Sequence, residues 1–395
     1  MKKTKLLILL TVFIDILGMG IVIPILPFYV ESFGASAFIV TALFAVYALC
    51  SFLSAPIIGA LSDRFGRRPM LIISIFSTAA GWIIFALAPS IPMLFLGRII
   101  DGIAAGNLPI AQAYLTDIAR NDKERSTNLG LIGAIFGIAF IVGPFVGGVL
   151  GAVSHTFPFW FVGGLALINA LLALIMLPET HLNRHHKKIS INPFTPLIRA
   201  SRDKILLPNY IAWFLCMFAI AGFQSIFALY VGAVFNIGEF GAGMIFAGMG
   251  VIIALNQGFF LKQIWLKYFN ETHLEWGMLL MFAIATALAG IPNILIFFIA
   301  LIGTTLGQST LRAVMTSQIV AQAGQTMRGE VLGITSSITS MSMALAPLVA
   351  GILFGIQVSF PFITGGMLLA IAFIILYTKY RRGQLSGAST TILST

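Results

Sequence analysis

Twelve long apolar runs, separated by short polar or proline-containing turns, make up most of the chain. An apolar run of about 20 residues is long enough to cross the hydrocarbon core of a bilayer as an α-helix, which satisfies its own backbone groups there. The pattern predicts twelve membrane-spanning helices, with cores at residues 6–28, 38–60, 69–89, 93–116, 128–151, 158–177, 209–234, 241–261, 275–291, 294–317, 330–354 and 360–378.

The composition agrees with an all-α membrane protein. Of 395 residues, 59% are apolar and 9% are charged, whereas about 25% of a soluble domain is charged. So few charges cannot cover the water-exposed surface of a soluble particle, which excludes a soluble enzyme, a disordered protein and a nucleic-acid-binding protein. Cys50 and Cys216 both lie in apolar runs, so we expect no disulfide framework and no metal site.

The basic residues lie on one side of the predicted membrane. If the N-terminus is cytoplasmic, six loops on the opposite side contain no Lys or Arg, and the cytoplasmic loops carry nearly all of these residues. The positive-inside rule then predicts that both termini are cytoplasmic. The net charge of +10 is explained by attraction to the anionic cytoplasmic leaflet, with membrane lipids as partners and no nucleic acid.

A long polar connector divides the spans into two sets of six. We predict an N-terminal six-helix bundle, a cytoplasmic connector, a C-terminal six-helix bundle and a disordered tail, at residues 1–178, 179–206, 207–382 and 383–395. The connector is rich in His, Arg and Lys, and we interpret it as a solvated linker and not as a metal site.

An internal repeat supports this division. A shift of 203 residues lays Arg125 on Arg328 and Pro144 on Pro347, so the fifth and eleventh spans look like copies of one element. Two parallel halves related by an axis along the membrane normal are a known transporter architecture, and the substrate site of such proteins lies between the halves near the midplane.

Three charged side chains lie deep inside predicted spans of the first half. Asp15 is near the middle of the first span, and Arg98 and Asp101 are three residues apart on one face of the fourth. A charge at the bilayer centre costs roughly 2.5–3.5 kcal/mol on insertion scales, so each of them requires an explanation.

Removal from water favours the neutral form of a carboxyl group, which suits a group that binds and releases protons. We therefore predict that Asp15 or Asp101 carries the proton and that Arg98 competes with the proton for Asp101. The structural alternative is a static Arg98–Asp101 pair, with Asp15 bonded to neighbouring backbone.

The second half has no acid at mid-depth and supplies uncharged polar side chains instead. We expect such groups, with two from the fourth span, to line a substrate cavity. They are Asn107, Gln112, Gln224, Asn256, Gln257, Gln308, Ser336 and Ser340. For the Ser/Thr run of the eleventh span, helix packing is the alternative.

The turn between the second and third spans has a motif that a simple positively charged turn does not need. Its sequence over residues 59–68 is GALSDRFGRR. The glycines permit a tight turn against a neighbouring helix, and the Asp and Arg side chains can exchange ion pairs at a cytoplasmic gate. The candidate gate residues are Gly59, Asp63, Arg64, Gly66, Arg67 and Arg68.

The fifth span carries small residues at intervals of four, followed by a proline. Small residues allow helices to approach closely, and the proline bends the helix. The motif comprises Gly133, Gly137, Gly143, Pro144, Gly147 and Gly148. Helix packing without a further role is the alternative.

Together, the 59–68 turn, the stretch from Arg98 to Gly106 and the glycine–proline signature resemble the major facilitator superfamily. More narrowly they resemble its twelve-helix drug/proton antiporters, and the segment from Asp15 to Pro27 is similar to the first helix of tetracycline-efflux-type members. The resemblance implies two pseudo-symmetric six-helix bundles in a bacterial cytoplasmic (inner) membrane.

The resemblance also implies roles for individual residues. The turn would form an inter-helix latch in which Asp117 receives one of the arginines, and the residue matching Arg98 takes part in proton coupling. The helix-five signature is typical of exporters. Residues 262–271 of the second half lack the Gly and Asp of the turn, which is a departure from the family pattern.

From these features we expect a secondary active transporter: a monomeric proton-coupled antiporter that exports small amphipathic or drug-like molecules by alternating access. Its partners would be a small-molecule substrate, protons and lipids, and a proton gradient replaces any cofactor. A lipid or glycolipid flippase, or a sugar or siderophore exporter, of the same fold is the alternative. A membrane-embedded enzyme or receptor is poorly supported, because all five histidines lie at or outside span ends.

Overall fold

The structure, a computed structural model, describes residues 2–180, 192–323 and 327–392, and within these residues it is helical without strands. The first half contains seven helices. They are α1 (Lys2–Glu31), α2 (Ala37–Phe65), α3 (Arg67–Ala86), α4 (Ile91–Ile103), α5 (Asn107–Asp117), α6 (Asp122–Gly151) and α7 (Phe157–Met176).

The second half begins with a short helix of the connector and continues with six long helical stretches. They are α8 (Thr195–Arg202), α9 (Leu207–Phe235), α10 (Glu239–Leu255) with the π-helical segment Asn256–Trp265 and α11 (Leu266–Tyr268), α12 (Glu271–Ala289), α13 (Ile294–Gln322), α14 (Arg328–Ile356) and α15 (Phe360–Ile392).

With α4 and α5 counted together as one span, twelve helical stretches are long and apolar enough to cross a membrane. Each predicted core overlaps one of them, so the prediction of twelve spanning helices is confirmed. The observed helix ends differ from the predicted ones by a few residues, because the turns in this chain are short and the helices extend into them.

The fourth span is interrupted, which the sequence analysis did not predict. α4 ends at Ile103 and α5 begins at Asn107. Ser74 of α3 bonds the freed backbone on both sides of the break: its hydroxyl donates to the Ala104 carbonyl and accepts from the Gly106 N–H at 3.0 Å. An irregular segment inside a membrane is stable only when its backbone groups are satisfied in this way.

The last helix extends beyond its predicted core. α15 continues to Ile392, whereas disorder was expected over 383–395. The disordered tail stays a prediction. Residues 393–395 lie outside the described part of the chain, as do residues 181–191 of the predicted connector.

The chain packs as two compact units. Unit 1 comprises Met1–Pro193, Gln224–Val251 and Ala350–Gly355, and unit 2 comprises Phe194–Phe223, Ile252–Val349 and Ile356–Thr395. These units describe packing and cut across α9, α10 and α14. The predicted division into two six-helix halves at the connector rests on the internal repeat, and it stays a prediction.

Each unit has its own apolar core. In unit 1 an aromatic cluster joins α1, α3 and α7, where the Trp82 and Phe159 rings stack with centroids 6.0 Å apart. Unit 1 also contains a contact between His155, in the loop after α6, and the buried Glu239 carboxylate at the start of α10. The core of unit 2 is built from α9, α12, α13, α14 and α15 around Trp213.

Candidate functional site

Asp15 of α1 lies beside the break in the fourth span. The Asn107 side chain, at the first residue of α5, donates through Nδ2 to Asp15 Oδ1 at 2.9 Å and to Thr78 Oγ1 at 3.1 Å. Asn107 is buried, and its own Oδ1 has no hydrogen-bond partner in the described chain. The interruption of the helix therefore places an amide against the carboxylate of α1.

Arg98 and Asp101 of α4 form a buried pair, with Arg98 Nη1 3.8 Å from Asp101 Oδ2. The guanidinium also lies over the Trp82 and Phe85 rings, 4.4 Å and 4.8 Å from their centroids. Aromatic faces attract a cation and replace part of its lost hydration. The Nε and Nη2 groups of Arg98 make no hydrogen bond in the described chain.

The three predicted charged residues thus belong to one site in unit 1. Thr78 of α3 connects them, because its hydroxyl accepts from Asn107 and interacts with the Asp101 carboxylate. The site contains two carboxylates, one cation and a chain of hydrogen-bonding groups in an otherwise apolar interior. Buried carboxylates with specific partners are typical of groups that exchange a proton. Asn107, which the sequence predicts to line the substrate cavity, also contacts Asp15.

The turn between α2 and α3 forms an ion-pair network around Arg67. Its Nη1 lies 2.5 Å from Asp63 Oδ1 and 2.7 Å from Ser62 Oγ, and its Nε lies 3.4 Å from Asp117 Oδ2 at the end of α5. One arginine thus connects three helices. Partly exposed ion pairs of this kind are weak, which suits contacts that must break and re-form.

Glu179, which follows α7, contacts this turn, although the sequence did not predict it. Its carboxylate accepts from the backbone N–H groups of Arg67 at 2.9 Å and Arg68 at 3.2 Å, and so caps the start of α3. Gly66 is required here: it has φ 112°, and a Cβ at this position would lie 2.2 Å from Glu179 Oε2. The sequence does contain a signal for this contact, because an acid that directly follows an apolar span is a suitable partner for the N-terminus of a neighbouring helix.

The remaining gate residues differ in their contacts. Arg68 Nη2 donates to the Leu174 carbonyl at 2.7 Å. Arg64 is exposed and lies over the Phe65 ring, at 5.4 Å from its centroid. Gly59 has open space where a Cβ would stand, and the close neighbour of Gly66 is the Glu179 side chain, which lies outside the helices. The predicted close approach of a neighbouring helix is therefore not seen at either glycine.

The glycines of the second part of the α6 motif pack against α1. A Cβ at Gly143 would lie 3.0 Å from Gly20 Cα and 3.0 Å from the Leu17 carbonyl oxygen, and one at Gly147 would lie 3.0 Å from the Ile21 carbonyl oxygen. Small residues, and glycine best of all, allow helix backbones to approach this closely.

Gly148 makes a second close approach within unit 1, because a Cβ there would lie 3.2 Å from Gly243 Cα of α10. Gly133 and Gly137 differ, since a Cβ at either position would meet open space, with no neighbouring atom of the described chain within 4 Å. The predicted helix contact at these two residues is therefore wrong for this conformation. Pro144 lies inside α6, as expected, and a Cβ at Gly20 would lie 3.1 Å from its Cδ.

Asn256 is fully buried and lies at the start of the π-helical segment of unit 2. Its Nδ2 donates to Ser309 Oγ at 2.7 Å and to Thr310 Oγ1 at 2.8 Å, and its Oδ1 accepts from Trp265 Nε1 at 2.8 Å. Asn256 holds two spans together here, so its expected place on a cavity wall is wrong for this conformation. π-helical turns often occur at functional sites.

The Ser/Thr run of α14 also contributes to packing. Trp213 Nε1 of α9 donates to Thr339 Oγ1 at 3.0 Å and to the Thr335 carbonyl at 3.2 Å. The other cavity candidates remain accessible to a ligand to different degrees. Gln112, Gln257 and Ser336 are exposed, and Gln224, Gln308 and Ser340 are half-buried.

Twelve spanning helices, a charged site in the bundle interior and an ion-paired turn define a membrane transporter of the helical-bundle class. The model of the Major Facilitator Superfamily matches residues 8–272. The chain therefore belongs to the Major Facilitator Superfamily, and it is an integral membrane protein of a family of transporters, not enzymes.

Relatives over nearly the full length include multidrug resistance protein 1 of Bacillus subtilis (strain 168), which is 29% identical over 94% of this chain and 95% of its own. Quinolone resistance protein NorA of Staphylococcus aureus (strain COL) is 27% identical over 98% of this chain and 99% of its own. The human organic anion transporter MFSD10 (TETRAN) shares the fold, with a TM-score of 0.69 and 22% identity over 95% of this chain and 99% of that chain.

Proposed function

We propose that the protein is a proton-coupled antiporter that exports small amphipathic, drug-like molecules by alternating access. We place it in the bacterial cytoplasmic membrane as a monomer, with both termini in the cytoplasm. The names of its relatives, a multidrug resistance protein and a quinolone resistance protein, support a drug-like cargo. The asymmetric distribution of Lys and Arg between the loops supports the orientation.

The observation that carries the proposal is the charged site formed by Asp15, Asn107, Arg98 and Asp101. Two carboxylates in an apolar interior are expensive to keep, and a structural role needs only one acid to pair with Arg98. Asp15 makes one side-chain hydrogen bond, to Asn107, and no ion pair within the described chain. It is therefore the carboxylate left to exchange a proton.

Coupling follows from linkage between the two ligands. If the outward-open state binds protons better and the inward-open state binds cargo better, each ligand biases the equilibrium against the other. The Arg67 network supplies contacts that differ between the two states, since its ion pairs are partly exposed and exchangeable.

The test uses purified protein in liposomes that contain a pH-sensitive dye and carry an imposed pH gradient. Lipophilic cations, tetracycline-like zwitterions, sugars and lipids are added one at a time. We expect a drug-like compound to trigger proton movement, and we expect Asp15→Asn to abolish it. Asp122→Asn is the matched control, because Asp122 is an exposed acid paired with Arg125 at 3.3 Å.

Proton flux that persists at the wild-type level in both Asp15→Asn and Asp101→Asn would refute the mechanism. A response to sugars or lipids alone would refute the drug-like cargo and retain the antiport. Loss of flux in Asp122→Asn to the same extent as in Asp15→Asn would refute the assignment of the proton site.

A further inference from the structure

A cavity of about 360 Å³ lies in unit 2. It is bounded by the start of α12, the last turns of α13 and the end of the spanning part of α15, with one residue from α9. These helix ends are predicted to be cytoplasmic, so the cavity lies at the level of the lipid head groups of that leaflet. None of the predicted cavity residues lines it.

One wall of the cavity presents an unpaired acceptor. Glu275 of α12 is 3% exposed, and its Oε1 has no hydrogen-bond partner in the described chain. Glu275 forms no ion pair within 4.0 Å there either. Buried polar atoms nearly always have partners, and a carboxylate oxygen without one is costly. A bound donor, best a cationic one, would satisfy it.

The other walls of the cavity carry hydrogen-bond donors that need an acceptor. Gln318 of α13 has a buried Nε2 without an acceptor in the described chain. Lys379 Nζ donates to Asn209 Oδ1 and, at 2.8 Å, to Gln322 Oε1, and an ammonium group has three hydrogens, so one is left. These two groups suit an anionic oxygen.

Aromatic side chains complete the site. The Trp276 and Tyr380 rings meet edge to face, with centroids 4.6 Å apart, and both line the cavity beside Glu275. An aromatic face next to a carboxylate is favourable for an ammonium group. Glu275 and Lys379 carry opposite charges and attract each other. A purely cationic or a purely anionic ligand would disturb this balance, whereas a zwitterion would preserve it.

We propose that this cavity binds a small zwitterionic group that carries a primary ammonium and an anionic oxygen. The ammonium donates to Glu275 Oε1, and the anionic oxygen accepts from Gln318 and Lys379. This chemistry has two sources, the head group of an ethanolamine phospholipid or a free zwitterion in solution. Phosphoethanolamine represents both.

The first experiment measures binding of O-phosphoethanolamine to the purified full-length protein in an uncharged detergent by titration calorimetry. We expect saturable binding that weakens at least about tenfold in Glu275→Gln and in Gln318→Met, as expected for loss of one charge-assisted or buried hydrogen bond. Glu271→Gln is the matched control, an exposed acid one turn away on the same helix. O-phosphocholine, whose methyl groups replace the N–H donors, should bind at least about tenfold more weakly.

The second experiment measures thermal unfolding in nanodiscs of phosphatidylcholine with and without phosphatidylethanolamine. A rise in the unfolding midpoint with phosphatidylethanolamine, lost in Glu275→Gln and kept in Glu271→Gln, identifies the lipid as the source. Binding of the soluble probe alone, with the same variant pattern, identifies a free zwitterion.

Gln318→Met removes no existing bond of Nε2, so it tests the site even where Glu275→Gln folds poorly. The proposal is overturned if neither probe binds, if phosphocholine binds as tightly as phosphoethanolamine, or if the Glu275 and Glu271 variants behave alike.

Discussion

The contact between α1 and α6 gives a sharp test of the packing, because the α6 motif contains glycines in opposite environments. Gly143 faces the α1 backbone, and Gly137, six residues earlier, has open space where a side chain would stand. We compare Gly143→Ala with Gly137→Ala. Both changes lie inside α6, so the backbone contribution of alanine is similar in the two variants.

The expected magnitude follows from the geometry. A methyl at Gly143 would lie 3.0 Å from Gly20 Cα, whereas carbon atoms pack best at about 3.5–4.0 Å. The two helices must separate, and overpacking of this kind costs about 1–3 kcal/mol. Replacing a helical glycine by alanine contributes about 0.5–1 kcal/mol of stability when there is space. Gly137→Ala should therefore be stabilising, and Gly143→Ala should be less stable than Gly137→Ala by about 1–3 kcal/mol.

The assay is reversible unfolding of the purified protein in maltoside micelles with increasing mole fractions of sodium dodecyl sulfate, followed by far-UV circular dichroism. Gly147→Ala, with an equally close contact to Ile21, should behave like Gly143→Ala. If Gly143→Ala is as stable as Gly137→Ala, the helices separate without cost and the argument from close backbone packing is refuted.

Three further changes can be measured with the same titration. Glu179→Gln weakens the cap of α3 and should lower stability by about 0.5–2 kcal/mol; an unchanged curve would contradict the capping role. Asn256→Leu removes the partner of the Trp265 indole and should cost about 1–3 kcal/mol, with a change in tryptophan fluorescence; wild-type fluorescence would argue against this contact. His155→Leu leaves the Glu239 carboxylate buried without its partner and should cost about 1–2 kcal/mol, and adding Glu239→Gln should recover part of the loss. No recovery would show that the two side chains do not interact.

Much of the architecture could be predicted from the sequence because the bilayer imposes a simple rule. Each apolar run must be a helix of spanning length, so the number of spans follows from hydropathy alone. The same rule makes buried charges conspicuous, which is why Asp15, Arg98 and Asp101 were identified and why the structure could place them in one site.

The features that could not be predicted depend on contacts between helices, and the hydrophobic pattern of the sequence does not encode these contacts. The break before Asn107 is stable because the Ser74 hydroxyl, 33 residues earlier in the sequence, satisfies the backbone at Ala104 and Gly106. The π-helical segment likewise rests on Asn256 and its partners on α13. No local pattern distinguishes Gly143, which packs against the α1 backbone, from Gly137, which has open space where a Cβ would stand.

The chemical difference between the two halves leads to a final expectation. Carboxylates at mid-depth are found in the first half, whereas the described mid-span residues of the second half contribute amides and hydroxyls such as Gln224, Gln308 and Ser340. An amide does not titrate between pH 4 and 10 and so cannot carry the proton, but it can orient a cargo molecule.

Under the proposed mechanism, Gln308→Leu should change the ranking of cargo compounds in the liposome assay while leaving proton movement per molecule of cargo unchanged, and Asp15→Asn should do the reverse. The ratio of proton flux to cargo flux separates the two effects. A changed ratio in Gln308→Leu would place part of the coupling in the second half and would refute this division of labour.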